Sequence, residues 1–226
     1  MEINLKVIGL GGVGSILINK LCRFLNYGKD VTAGITLADG DTYEPKNLER
    51  QEFSGFGNKA EVKATDLKLQ FPNIEFDVYP AFINEVTVAD VIKEGDVVFL
   101  CVDNHKSRMI VNNYCKNLKD VTLISGGNEL TDGNVQVYLR RNGSDKTPDL
   151  AAYHPEIGNP DDKLPDEMSC EELSKSEPQL YFTNLGVATI MCWSFYNVMI
   201  RSKLEASEVY FDITNMNTLA QRRALK

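Results

Sequence analysis

The segment Gly9-Leu-Gly-Gly-Val-Gly14 sits between a short apolar run, Ile3–Ile8, and a stretch with apolar residues at helical spacing: Val13, Ile16, Leu17, Leu21 and Leu25. Gly9, Gly11 and Gly14 fill a G-x-G-x-x-G pattern, and Gly12 adds backbone freedom. Between a strand and a helix, such a loop brings amide donors and a helix N-terminus against a phosphate. Gly28 marks a helix stop, and residues 31–38 alternate like a strand that ends at Asp39. Strand, loop, helix and strand make a βαβ opening. Asp39 is placed to accept from ribose hydroxyls, in a dinucleotide or a mononucleotide site alike.

Short apolar runs and helical stretches continue to alternate downstream. Helices are predicted over 59–69, 86–93 and 105–117, and strands over 74–79, 96–102 and 121–125. Residues 134–141 alternate in the manner of an antiparallel edge strand. A helix over about 180–201 and strands over 208–214 and 219–224 close the chain. Between them, about 142–180 is irregular, and 142–168 is rich in Pro, Asn, Asp and Gly; loops of that length are usually functional or mobile. The expectation is one domain over 1–226: an α/β, Rossmann-like doubly wound sheet, mostly parallel, with antiparallel strands towards the C-terminal part.

A net charge of −8 disfavours nucleic-acid binding, which needs clustered Lys and Arg. Five cysteines without a CxxC pair argue against a disulfide framework and a CxxC zinc site, and fit reduced thiols in a cytoplasm. The N-terminus has no basic-then-apolar signal segment. The longest apolar run, residues 185–200, is interrupted by Thr189, Ser194 and Asn197, so no membrane span is expected.

More specific is Asp39-Gly-Asp-Thr-Tyr-Glu-Pro-Lys-Asn-Leu-Glu-Arg-Gln51, which resembles the D-x-D…N-L-x-R-Q signature of the ThiF, MoeB and E1-like activating enzymes. Gly57-Asn-Lys-Ala-Glu-Val62 is similar to that family's G-x-x-K-A-E-V segment with one residue fewer. Cys101-Val-Asp-Asn-His-Lys-Ser-Arg108 resembles its D-N…R segment. Met168-Ser-Cys170 before a long helix resembles its P-S-C segment, and small stand-alone bacterial proteins of the PRTRC kind look most similar.

The resemblance implies the ThiF/E1 adenylation fold and an adenylyltransferase that uses ATP and Mg2+. Its acyl substrate would be the C-terminal glycine of a small ubiquitin-like or sulfur-carrier protein, with an E2-like protein as a further partner and a homodimer as the assembly. Gly9, Gly11, Gly12, Gly14, Asp39, Asp41, Asn47, Arg50, Gln51, Lys59, Asn104 and Arg108 are then the candidate nucleotide-binding residues. Arg50, Lys59, Asp103 and Cys170 are the candidate catalytic residues, with Asp103 on the metal and Cys170 carrying a thioester.

The residue types suit these tasks. Lys59 supplies charge to the polyphosphate, Arg50 clamps it in bidentate fashion, and a carboxylate suits a hard cation. Each also has a structural alternative. Lys59 and Arg50 can also be read as solvated charges, Asp41 as a turn acid, and Asn104 and Arg108 as stabilisers of a helix start. Glu167, Glu171 and Glu172 around Cys170 would raise its pKa. Cys22, Cys101, Cys115 and Cys192 read as core residues.

The sequence also departs from the family. It starts at the first strand, where relatives begin with a helix whose Arg reaches the partner protomer's ATP, and it lacks their CxxC zinc pairs. Three other functions remain open at this level: a non-catalytic nucleotide-binding scaffold, an NAD-dependent oxidoreductase, and a tRNA-modifying relative.

Overall fold

Side chains along Val97–Leu100 alternate between two separate cores: Val97 and Phe99 face one, Val98 and Leu100 the other. A strand apolar on both faces belongs at the centre of a sheet covered by helices on both sides. The computed structural model, which describes residues 2–28, 32–167 and 179–225, has that arrangement.

In chain order the elements are β1 (Glu2–Ile8), α1 (Gly12–Tyr27), β2 (Thr32–Ala38), β3 (Thr42–Tyr43), β4 (Gly57–Asn58), α2 (Lys59–Gln70) and β5 (Glu75–Tyr79). Then follow α3 (Val88–Val91), β6 (Val97–Leu100), α4 (His105–Cys115), β7 (Val121–Asn128), β8 (Asp132–Arg141), β9 (Ser144–Asp145) and α5 (Pro155–Gly158). Last come α6 (Tyr181–Phe195), which runs into a π turn over Tyr196–Ile200, β10 (Glu208–Asp212) and β11 (Asn217–Gln221).

The main sheet has the order β11-β10-β8-β7-β6-β1-β2-β5, with β9 beside β8. From β5 to β7 it is parallel; β8, β10 and β11 extend it antiparallel. Helices α1, α2 and α6 bury their apolar stripes on one face, around Ile16, Leu67 and Met191. Helices α3, α4 and α5 cover the other, through Val91, Val111 and Ile157. Each fully buried Leu or Phe in these layers stabilises the fold by about 1.5–3 kcal/mol.

β1 pairs with β2 on one side and with β6 on the other, the second register joining Leu5 to Val97. The chain leaves β1 towards β2 and leaves β6 towards β7, in opposite directions. The strand order therefore reverses between β1 and β6. In open α/β sheets such a reversal leaves a crevice beyond the carboxyl ends of the two strands, and ligands bind there.

The edge-strand expectation for 134–141 is corrected. β8 lies inside the sheet, between β7 and β10. Its polar side chains meet the segment after it, not water: Gln136 donates to the Leu150 carbonyl at 3.3 Å and Tyr138 to Asp145 Oδ1 at 2.6 Å, while the Thr147 hydroxyl donates to the Val137 carbonyl at 2.7 Å. Residues 145–150 thus cover the face that the alternation leaves polar.

Candidate functional site

The Gly loop is held by contacts that only glycine permits. Gly9 has φ +87° and lies so close to β6 that a Cβ would stand 2.8 Å from the Cys101 carbonyl oxygen. A Cβ on Gly14 would stand 1.9 Å from the Gly9 carbonyl oxygen. α1 starts at Gly12, and its N-cap residue, Gly11, has no side chain to cap it. The first amides of a long helix are therefore offered to the crevice, with the positive end of the helix dipole behind them.

Asp39, buried at the end of β2, fastens the loop to the next segment. Its carboxylate accepts the Leu10 amide at 2.6 Å and the Asp41 amide at 2.8 Å. Burial pushes its pKa up, against the pull of Lys59 and the two amides. The Tyr43 hydroxyl donates to the Leu10 carbonyl at 2.8 Å, so the loop is tied from two directions.

Lys59 opens α2 immediately after Asn58, whose side chain accepts the Ala60 and Glu61 amides and donates to the Asp39 carbonyl. The Lys59 ammonium lies 2.6 Å from Asp41 Oδ2 and 5.8 Å from the centre of the Tyr43 ring. Burial raises the Asp41 carboxyl, but the charge and hydrogen bond of Lys59, with the Thr42 amide, outweigh it and hold it low.

Between Asp41 and Lys59 the chain turns back along α1. Pro45–Asn47 is a 3-10 turn in which Asn47 Oδ1 accepts the Glu44 amide at 2.9 Å. The Arg50 and Gln51 amides both donate to the Asn47 carbonyl. Gln51 is buried against Gly11, its Nε2 3.9 Å from where a Cβ would lie, and its Oε1 has no hydrogen-bond partner. The Glu52 amide donates to the Ser15 hydroxyl of α1, and its carboxylate accepts the Tyr181 hydroxyl of α6 at 2.7 Å.

Beyond β6 the candidate residues divide. Asp103 is exposed, and among the described residues no hydrogen bond or ion pair occupies its carboxylate. Asn104 caps α4, accepting the Ser107 amide at 2.7 Å. Arg108 is buried, and its guanidinium donates to the Ser125 hydroxyl and the Val102 and Gly126 carbonyls. It braces the ends of β6 and β7 from inside the sheet. Among the described residues no cluster of three or more His, Cys, Asp or Glu side chains forms a ready-made metal cage.

One neighbour of this site escapes sequence reasoning. Asp162, in the irregular segment, accepts the His105 amide at 2.5 Å and the Lys106 amide at 2.9 Å, and so holds the strap of residues 155–167 on the start of α4. Lys106 adds an ion pair to Glu167 at 2.6 Å. No local signal marks a cap that comes from so far along the chain. Cys170 lies outside the described residues. The Cys22 and Cys115 thiols are pushed up to about 12 by burial, as is Cys192; Cys101 is raised by burial too. These four behave as core residues.

The sequence profile of the ThiF family matches residues 2–226. The chain is 31% identical over 137 residues to the molybdopterin-synthase adenylyltransferase of Haemophilus influenzae, covering 58% of this chain and 53% of that protein. It is 30% identical over 148 residues to ubiquitin-like modifier-activating enzyme 5 of Xenopus laevis, covering 58% and 36%. It therefore spans about half or less of the curated relatives it matches. Among solved structures, E. coli MccB with ATP superposes with a TM-score of 0.75 at 18% identity, over 97% of this chain and 63% of that one.

Proposed function

The chain belongs to the ThiF family, and from that premise we propose that it is an ATP-dependent adenylyltransferase. Its acyl substrate is the C-terminal glycine carboxylate of a small ubiquitin-like or sulfur-carrier protein. The names of two relatives support this chemistry: one is an adenylyltransferase of molybdopterin synthase, the other activates a ubiquitin-like modifier. A carboxylate oxygen attacks the α-phosphorus, the bond from that phosphorus to the bridging oxygen breaks, and pyrophosphate leaves an acyl-adenylate.

One observation carries the proposal. The uncapped start of α1, the Asp39 carboxylate and the Lys59 ammonium are joined by short contacts at a single crevice. In the proposed site the α1 amides bind phosphate oxygens, Asp39 holds the ribose, and Lys59 and Arg50 neutralise the polyphosphate. Lys59 is already oriented by an exposed acid, so a phosphate can take Asp41's place without leaving a buried charge unpaired. Asn47 and Gln51 line the same turn. Mg2+ binds through one or two carboxylates together with phosphate oxygens and water. The exposed Asp103 suits that habit, and the ion would supply charge neutralisation to the phosphates.

The further parts of the proposal are one domain over 1–226, a homodimer, a cytoplasmic setting, an E2-like partner, and transfer of the acyl group to Cys170 with release of AMP. No described helix is long and apolar enough to cross a membrane. The test is ATP–pyrophosphate exchange with a small β-grasp protein ending in Gly. Exchange should fall about a hundredfold or more in Lys59→Ala and in Asp103→Ala, the scale of losing one preorganised electrostatic group. Exchange that survives both substitutions refutes the mechanism.

A further inference from the structure

Asn184 lies in the first turn of α6 and is fully buried, yet neither its Oδ1 nor its Nδ2 has a hydrogen-bond partner. A buried carboxamide left unpaired is unfavourable, and native proteins seldom keep one. Its amide is set against the Gly loop: a Cβ on Gly12 would stand 2.2 Å from Asn184 Nδ2 and 2.9 Å from Gln179 Oε1. Next to Gly11, Gln51 Oε1 is also buried and unpaired. Two carboxamides with unmet polar atoms therefore flank the uncapped start of α1.

Building on the adenylation proposal, we infer that Asn184 is a positioning residue for the backbone of the acyl substrate's C-terminal peptide, rather than for the nucleotide. Phosphate oxygens only accept, and they have the α1 amides and Lys59 to bind. Asn184 lacks partners for a donor and an acceptor together, and a peptide group offers the complement of both. Nδ2 donates to the peptide carbonyl, and Oδ1 accepts the peptide N–H. Gly12, having no side chain, lets the Asn184 carboxamide press directly on the start of α1. The substrate carboxylate is thereby directed to the helix end that the proposal assigns to the phosphates, the kind of placement by which enzymes accelerate a bimolecular step.

The test uses the full chain loaded with a non-hydrolysable ATP analogue and titrated calorimetrically with a synthetic peptide that ends in Gly-Gly with a free carboxylate. Asn184→Leu, close in size, should melt at a higher temperature because it removes the unpaired carboxamide. It should bind the ATP analogue as the natural chain does, and bind the peptide about tenfold more weakly, the scale of one lost hydrogen-bonded contact. A peptide N-methylated at its last amide should bind the natural chain about tenfold more weakly, and Asn184→Leu should add little to that loss. The methylated peptide keeps the test sound if the Leu variant fails to fold. Unchanged peptide affinity in both comparisons overturns the inference. So does a loss confined to the ATP analogue, or a natural chain that binds no peptide. Absence of pyrophosphate exchange in the natural chain refutes adenylation instead, so the two failures are distinct.

Discussion

The ammonium of Lys59 lies 2.6 Å from Asp41 Oδ2, with the lysine side chain 7% exposed and the aspartate 59% exposed. The pair is lopsided, and its two halves are not equivalent. Removing the cation leaves an acid that water can solvate, whereas removing the acid leaves a buried cation with the Tyr43 ring and the charge of buried Asp39 near it.

Lys59→Met should therefore leave the fold nearly intact, with a Tm within about 2 °C of the parent, because an apolar chain of similar length fills the buried place and water solvates the acid left behind. Its nucleotide affinity should fall at least about tenfold. Calorimetric titration with ATP beside a thermal melt checks both. A large drop in Tm with unchanged affinity would mark Lys59 as a purely structural lysine.

Arg108 has the opposite profile. Substitution by Lys keeps the charge but supplies one nitrogen where two guanidinium nitrogens now serve three acceptors at the ends of β6 and β7. Arg108→Lys should lose about 2 kcal/mol in urea unfolding, the scale of leaving a buried acceptor unpaired. A change below about 0.5 kcal/mol, the range of ordinary surface substitutions, would show that the brace contributes little.

The α4 start offers a test of the strap. In Asp162→Ala the His105 and Lys106 amides lose their acceptor, at about 1 kcal/mol, as for other helix caps. Hydrogen exchange should accelerate at those amides and along residues 155–167, and remain as before in β1. Equal protection in the variant would mean that the strap holds without this carboxylate.

Alkali gives a prediction with a definite sign. Burial raises the four described thiols, three of them to about 12 from an ordinary 9.0. From pH 9 to 12 the unfolded chain loses thiol protons that the folded chain keeps, so stability falls as pH rises. Lys63 opposes this. Burial lowers it from 10.5 to about 8, so between those values the unfolded chain binds the extra proton and stability gains with pH. Each of these groups contributes up to about 1.4 kcal/mol per pH unit, so above pH 9 four thiols together outweigh one lysine. Urea unfolding at pH 8 and 10.5 should show the decline, and Cys115→Ala should reduce its slope.

Local patterns made the first half of the fold legible. The Gly loop, the helical spacing after it and the acid ending β2 are all properties of neighbouring residues, and 39–51, 57–62 and 101–108 could be matched block by block. What escaped depends on contacts between distant segments. Gln136 looks solvent-facing until residues 147–150 are laid over it, so β8 read as an edge. Asp162 looks like any loop acid until the strap brings it to α4. Asn184 reads as an ordinary helix residue, since only the packing of α6 on α1 puts it against Gly12.

The pairing of Leu5 with Val97 gives the crevice a history as well as a shape. A nascent chain that has emerged only as far as α2 carries the complete Gly loop and both acids, but no β6 wall for them to face. Long-range strand pairing of this kind forms slowly. If the chain binds ATP as proposed, recognition is a late event in the life of each molecule, and it would stabilise only chains in which β6 has already docked. A nucleotide-affinity resin would therefore sort finished molecules from stalled or truncated ones.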